Sequence, residues 1–157
     1  MNRSHLELTW TQHGGDGKEP RGFWDFVVDG HSLFDIFQAA GFDVISSIGW
    51  VNISEQKAAI GRLQLIEPAD LPNNRRSLYV CHICGDLGCG AVSVRVEQDG
   101  LSINWSSFGF ENNLSDDLGC LDLDRLRHVG PFVFDSDHYE TVMLEALEVI
   151  HGREPRA

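Results

Sequence analysis

The sequence predicts an α+β fold in which a mainly antiparallel sheet, built from hairpins, is covered by a C-terminal amphipathic helix and shorter helices. Two observations predict the sheet: apolar and polar residues alternate on both sides of Asp99-Gly100, and an alternating stretch near the N-terminus is followed by a run of strand-forming residues. One unbroken apolar stripe close to the C-terminus predicts the covering helix.

The first strand pair is predicted near the N-terminus. Apolar and polar residues alternate over residues 6–11, and the run FWDFVV at residues 23–28 is rich in strand-forming residues. A polar, glycine-rich loop lies between them, and Asp29-Gly30 closes the second strand. We therefore expect a long antiparallel hairpin.

Two short helices and a further strand are expected next. Ser32 is a suitable N-cap for an apolar helix that ends at Gly41. Residues 42–51 favour extended structure, and Ser54 is the expected N-cap of a second helix over residues 55–65.

The strongest hairpin signal lies in the middle of the chain. Residues 91–97 alternate valine with polar residues, and residues 101–105 repeat the pattern with Leu101, Ile103 and Trp105. Asp99-Gly100 suits a tight turn, because glycine accepts a positive φ at little cost. Each strand has one apolar face, so the hairpin requires a covering layer.

The covering layer is predicted from the last part of the chain. Residues 131–134 form a short strand, after which Asp137 and Glu140 fit a capping-box variant. The stripe that follows has spacing i, i+3, i+4, i+7, i+8, i+11 and consists of Tyr139, Val142, Met143, Ala146, Leu147 and Ile150. We expect it to pack on the sheet, with Gly152 as the helix stop.

The cysteines offer the most suggestive chemistry. Cys81-x-x-Cys84 is the spacing of one zinc-knuckle arm, and Cys89 with Cys120 could complete a structural four-thiolate zinc site. Two alternatives remain open at this point: the cysteines are buried free thiols, or Cys84 and Cys89 form a redox pair.

The same region carries a resemblance. The run CGDLGCGAVSVRV, followed by INWSSFGFEN and PFVFDSDHY, resembles a group of small uncharacterised bacterial proteins. These share a C-G-x-x-G-C turn, a hairpin ending near W-x-x-F, and a P-F-x-F before a terminal helix. The resemblance covers about residues 78–139, implies no activity, and emphasises Cys84 and Cys89 over Cys81 and Cys120.

Composition limits the class of protein. The chain has 157 residues, 42% of them hydrophobic, which is typical of one globular domain over residues 1–157. It contains no apolar run of membrane-spanning length and no signal-peptide pattern, so we expect a cytoplasmic protein. The net charge of −12 opposes nucleic-acid binding, which requires clustered Lys and Arg.

The charge also suggests a function. The stretch of residues 111–124 lacks Lys and Arg and carries five acids expected to bind a partner: Glu111, Asp116, Asp117, Asp122 and Asp124. No catalytic motif is recognisable. The sequence therefore favours a non-catalytic binding protein, in its most concrete form an immunity or inhibitor protein that neutralises a basic toxin. The alternatives are a solvated acidic loop without a partner, and a small cysteine-dependent redox or other enzyme using Cys84 and Cys89.

Overall fold

The computed structural model describes residues 3–14, 21–83, 90–111 and 121–151. Within these ranges it confirms the α+β class. The strands are β1 (Leu6–His13), β2 (Arg21–Val28), β3 (His31–Ser32), β4 (Val44–Ser46), β5 (Arg76–Cys81), β6 (Ala91–Asp99), β7 (Ser102–Glu111) and β8 (Phe132–Asp135). The helices are α1 (Leu33–Ala39), α2 (Ile53–Leu63) and α3 (Ser136–Ile150). None of these three helices is long and apolar enough to cross a membrane.

The described strands form two antiparallel sheets, in the orders β1-β2-β3 and β4-β5-β6-β7-β8. The predicted N-terminal hairpin is confirmed, with β1 and β2 paired without interruption from Leu6 opposite Val28 to His13 opposite Arg21. The division into two sheets was not predicted, because alternation shows which face of a strand is apolar but not which strand lies beside it.

The central hairpin is confirmed, with one correction in its turn. Asp99 pairs with Ser102, which leaves Gly100 and Leu101 as a two-residue loop, and Gly100 has the positive φ that such turns require. Leu101 was expected on the apolar face of the return strand. It lies in the turn instead and is 75% exposed.

Each helix has a side-chain N-cap, and two of the caps differ from the prediction. Ser32 caps α1 as expected. Asn52 rather than Ser54 caps α2, and Asp135 rather than Asp137 caps α3, each accepting from the backbone N–H three residues later. Several residues able to cap stand close together at both sites, so local sequence did not decide between them.

The apolar stripe of α3 lies in the core as predicted. Five of its six residues are buried, and Leu147 is half-buried against the core. Trp105 of β7 is fully buried and donates through Nε1 to the Tyr139 hydroxyl at 3.0 Å. That hydroxyl donates in turn to the Leu63 carbonyl oxygen at 2.8 Å. The terminal helix is therefore joined both to the larger sheet and to α2.

A buried polar network connects the two sheets. Asp25 of β2, 1% exposed, accepts hydrogen bonds from the hydroxyls of Tyr79 and Ser32 and from the Phe34 backbone N–H. Tyr79 belongs to β5 and accepts from the Phe26 backbone N–H at 2.9 Å. Burial raises the pKa of Asp25, although the hydrogen bonds from Ser32, Tyr79 and Phe34 act to lower it.

Candidate functional site

Three of the four predicted cysteine ligands lie outside the described residues. Cys81 ends β5 and is a half-buried free thiol. Cys84, Cys89 and Cys120 fall in the ranges 84–89 and 112–120, beyond the described part of the chain. The four-thiolate zinc site and the Cys84–Cys89 redox pair therefore stay predictions.

Glu111 requires a correction, because its carboxylate points into the protein. It is 6% exposed, and its Oε2 accepts from Ser93 Oγ at 2.5 Å and from Arg75 Nε at 3.3 Å. Arg75 is only 2% exposed, so this is an interior ion pair. Glu111 is thus not part of an acidic surface open to a partner.

The other predicted partner-binding acids are divided between described and undescribed residues. Asp122 Oδ1 accepts from the Asp124 backbone N–H at 3.0 Å and so stabilises a local turn. Asp124 is exposed and pairs with Arg127 at 2.5 Å. Asp116 and Asp117 lie outside the described residues. Asp124 therefore has a neighbouring positive charge that lies just beyond the acidic stretch considered in the sequence.

The outer side of α3 is a second acidic surface, which the sequence analysis did not single out. Its residues have the spacing of the buried stripe, shifted by two positions, and are all exposed: Asp137, Glu140, Thr141, Leu144, Glu145 and Glu148. We call these six residues the α3 acidic face. The helix contains no Lys or Arg, and Leu144 is 51% exposed among the acids.

A separate group of side chains, the histidine–aspartate cluster, consists of His13, Asp43 and His82. Asp43 Oδ1 lies 2.6 Å from His13 Nε2, and Asp43 Oδ2 lies 3.0 Å from His82 Nε2. The two imidazole rings lie with their centroids 4.1 Å apart. One possible ligand atom from each residue lies within 4.8 Å of the other two.

The fold brings these residues together from three distant segments. Val44 of β4 pairs with Cys81 of β5 at the end of their ladder. Asp43 directly precedes β4 and His82 directly follows β5, so both lie at this end of the strand pair. His13 is the last residue of β1 in the other sheet, and the Phe34 ring packs edge-on against it at 5.8 Å. The cluster therefore depends on how the two sheets meet, so no local sequence pattern indicates it.

The electrostatics of the cluster favour a charged carboxylate. Partial burial acts to raise the pKa of Asp43, but hydrogen bonds from Gln38 and His13 and the charges of His13 and His82 outweigh it. The pKa of Asp43 therefore lies below its ordinary value. Gln38 Nε2 donates to Asp43 Oδ1 at 2.8 Å and fixes the orientation of the carboxylate.

Two further histidines, His128 and His138, have different surroundings. His138 Nε2 accepts from the Leu6 backbone N–H at 3.0 Å, which is a structural role. His128 is exposed and lines an open, mainly apolar cavity of about 300 Å³ together with His31, Ile36 and Phe132. Among the described residues, the histidine–carboxylate pairs involve His5, His13 and His82 instead.

No family model, curated protein or solved structure matches this chain. Functional interpretation therefore depends on the geometry and charge of the described residues. The resemblance to small bacterial proteins with a C-G-x-x-G-C turn stays a prediction.

Proposed function

We propose that this protein is a non-catalytic acidic binding protein that recognises a basic protein, in the manner of an immunity protein that neutralises a cationic toxin. The observation that carries the proposal is the α3 acidic face, where four carboxylates surround Leu144 on a helix without Lys or Arg. The net charge of −12 adds a long-range attraction of the same sign.

The arrangement of this face suits a protein partner. An apolar residue surrounded by charged ones resembles the usual organisation of an interface, in which a desolvated centre is enclosed by a polar rim. The acids would steer a positive surface toward the helix, and Leu144 would supply apolar contact after docking. The face is also firmly supported, since the opposite side of α3 is buried in the core.

The proposal changes the residues assigned to binding. Glu111 is removed because it is buried beside Arg75. Asp122 and Asp124 remain candidates at the surface, with Asp116 and Asp117 as predictions outside the described residues. The main contact is assigned to the α3 acidic face.

The test measures association with purified, catalytically inactive cationic nuclease toxin domains by surface plasmon resonance. The variant Asp137→Asn/Glu145→Gln removes two charges from the α3 acidic face. The matched control, Glu97→Gln/Asp99→Asn, removes two exposed charges from β6. Glu97 follows the buried Val96, so its side chain is directed away from the core on which α3 packs.

We expect the wild-type chain to bind a member of the panel and the α3 variant to associate about tenfold more slowly at low salt, with a smaller difference at high salt. The control should associate at nearly the wild-type rate. An equal decrease of the association rate in both variants would show that net charge alone governs binding. It would contradict recognition through the α3 acidic face. Failure to bind any member, or turnover of a small molecule that is lost in Cys84→Ser or Cys89→Ser, would favour the enzyme alternative.

A further inference from the structure

We propose that His13, Asp43 and His82 form a binding site for a divalent zinc ion. The inference is independent of the proposed protein binding, because it depends on a different part of the surface. It also differs from the four-thiolate site predicted from the cysteine spacing, since no cysteine belongs to the set.

The possible ligand atoms of His13, Asp43 and His82 converge on one point of the surface. Two imidazole nitrogens approach the two oxygens of one carboxylate, at 2.6 and 3.0 Å. In a tetrahedral zinc site with metal–ligand bonds of about 2.0–2.1 Å, neighbouring ligand atoms lie about 3.3 Å apart. The three ligand atoms already lie within 4.8 Å of one another, so side-chain rotations that bring their separations to about 3.3 Å would admit an ion between them.

The three side chains also have the ligand chemistry that zinc prefers. Two imidazoles and a carboxylate suit zinc and its late first-row neighbours, whereas magnesium and calcium prefer oxygen ligands alone. Three protein ligands leave a fourth position for water or for a donor from a bound molecule. The side chains of His13 and His82 are 19% and 21% exposed and that of Asp43 is 56% exposed, so an ion can enter from solvent.

Neighbouring side chains hold two of the three proposed ligands in place. Gln38 holds one oxygen of Asp43 by a 2.8 Å hydrogen bond, and the Phe34 ring restricts His13 from the side. Groups of this kind orient ligands before the metal binds. The exposed His5–Glu7 pair provides a contrast. Its Nε2 and Oε1 atoms lie 3.1 Å apart, but within the described part of the chain they belong to no group of three ligand atoms that lie within 4.8 Å of one another.

The experiment measures zinc binding to the full-length chain, stripped with a chelator, by competition with a colorimetric zinc indicator and by native mass spectrometry. The test variants are His13→Gln, Asp43→Asn and His82→Gln. His5→Gln is the matched control, since it removes an exposed histidine from a histidine–carboxylate pair. Thermal melts verify that each variant is folded.

We expect each test variant to lose one zinc equivalent or to bind it at least about tenfold more weakly, and His5→Gln to bind as the wild type does. Cobalt provides a second readout, which reports the type of ligand: the wild-type spectrum should show tetrahedral bands from this site without requiring a thiolate charge-transfer band. Undiminished binding in the test variants overturns the proposal. The absence of zinc binding by the wild-type chain also overturns the proposal. Zinc binding that is lost only when Cys81 and the other cysteines are replaced overturns it as well.

Discussion

The substitution Glu111→Gln is expected to lower the free energy of unfolding by about 3–5 kcal/mol, because it leaves the buried guanidinium of Arg75 without its counter-charge. Glutamine preserves the shape of the side chain and can still accept from Ser93. The negative charge is lost, and one of the two acceptor oxygens becomes an amide NH2 donor. Four further oxygen acceptors, the hydroxyl and carbonyl groups of Ser93 and Ser107, stay around the guanidinium. Their presence places the expected value near the lower limit.

The measurement is urea denaturation followed by tryptophan fluorescence, with the change read from the shift in midpoint at constant slope. Asp124→Asn is the control. It breaks an ion pair between residues 82% and 79% exposed, and exposed pairs contribute no more than about 1 kcal/mol. A change below about 1 kcal/mol for Glu111→Gln, similar to the control, would refute the assignment of Glu111 to the interior.

Three further predictions concern the core. Tyr139→Phe should lower the free energy of unfolding, measured by urea denaturation, by about 2–4 kcal/mol, because it leaves the Trp105 indole N–H and an α2 carbonyl without their partner. An unchanged free energy of unfolding would contradict the hydrogen bonds described. The raised pKa of Asp25 gives stability that is complete below its ordinary value of 3.8 and is lost as pH rises through the folded-state value. The free energy of unfolding of Asp25→Asn, measured by urea titration, should therefore rise relative to that of the wild type as the pH is raised from 4. A difference between the two proteins that does not change with pH would contradict this expectation. Met143→Asp should abolish soluble folded protein by burying an unpaired charge. Leu147→Asp should reduce the soluble yield and the melting temperature less, since that site is half-buried.

The parts of the fold predicted from sequence are those governed by local periodicity. Alternation identified β1 and the β6–β7 hairpin, a run of strand-forming residues identified β2, and helical spacing identified the buried side of α3. Both patterns depend on residues within a few positions of each other. The exact helix starts were missed at Asn52 and Asp135, where adjacent residues could serve equally well as caps.

The features missed in the sequence depend on contacts between distant residues. Arg75 and Glu111 are separated by 36 positions, so the glutamate looked like part of an acidic loop. His13 and Asp43 are separated by 30 positions. His13 ends β1 of the smaller sheet, whereas Asp43 directly precedes β4 of the larger sheet. The α3 acidic face was the exception. Its spacing is readable in the sequence, because its exposed residues repeat the period of the apolar stripe two positions earlier.

The polar link between the sheets has a consequence for amide hydrogen exchange. The Phe26 N–H of β2 is held by the hydroxyl of Tyr79 in the other sheet. Nearby, the Trp24 N–H donates to the Ile48 carbonyl oxygen at 2.8 Å, and Ser46 Oγ donates to the Trp24 carbonyl oxygen at 2.5 Å. Neither sheet can open along this seam without exposing polar groups of the other. The amide protons of Phe26 and Trp24 should therefore exchange with solvent as slowly as those at the centre of the larger sheet, through one shared opening.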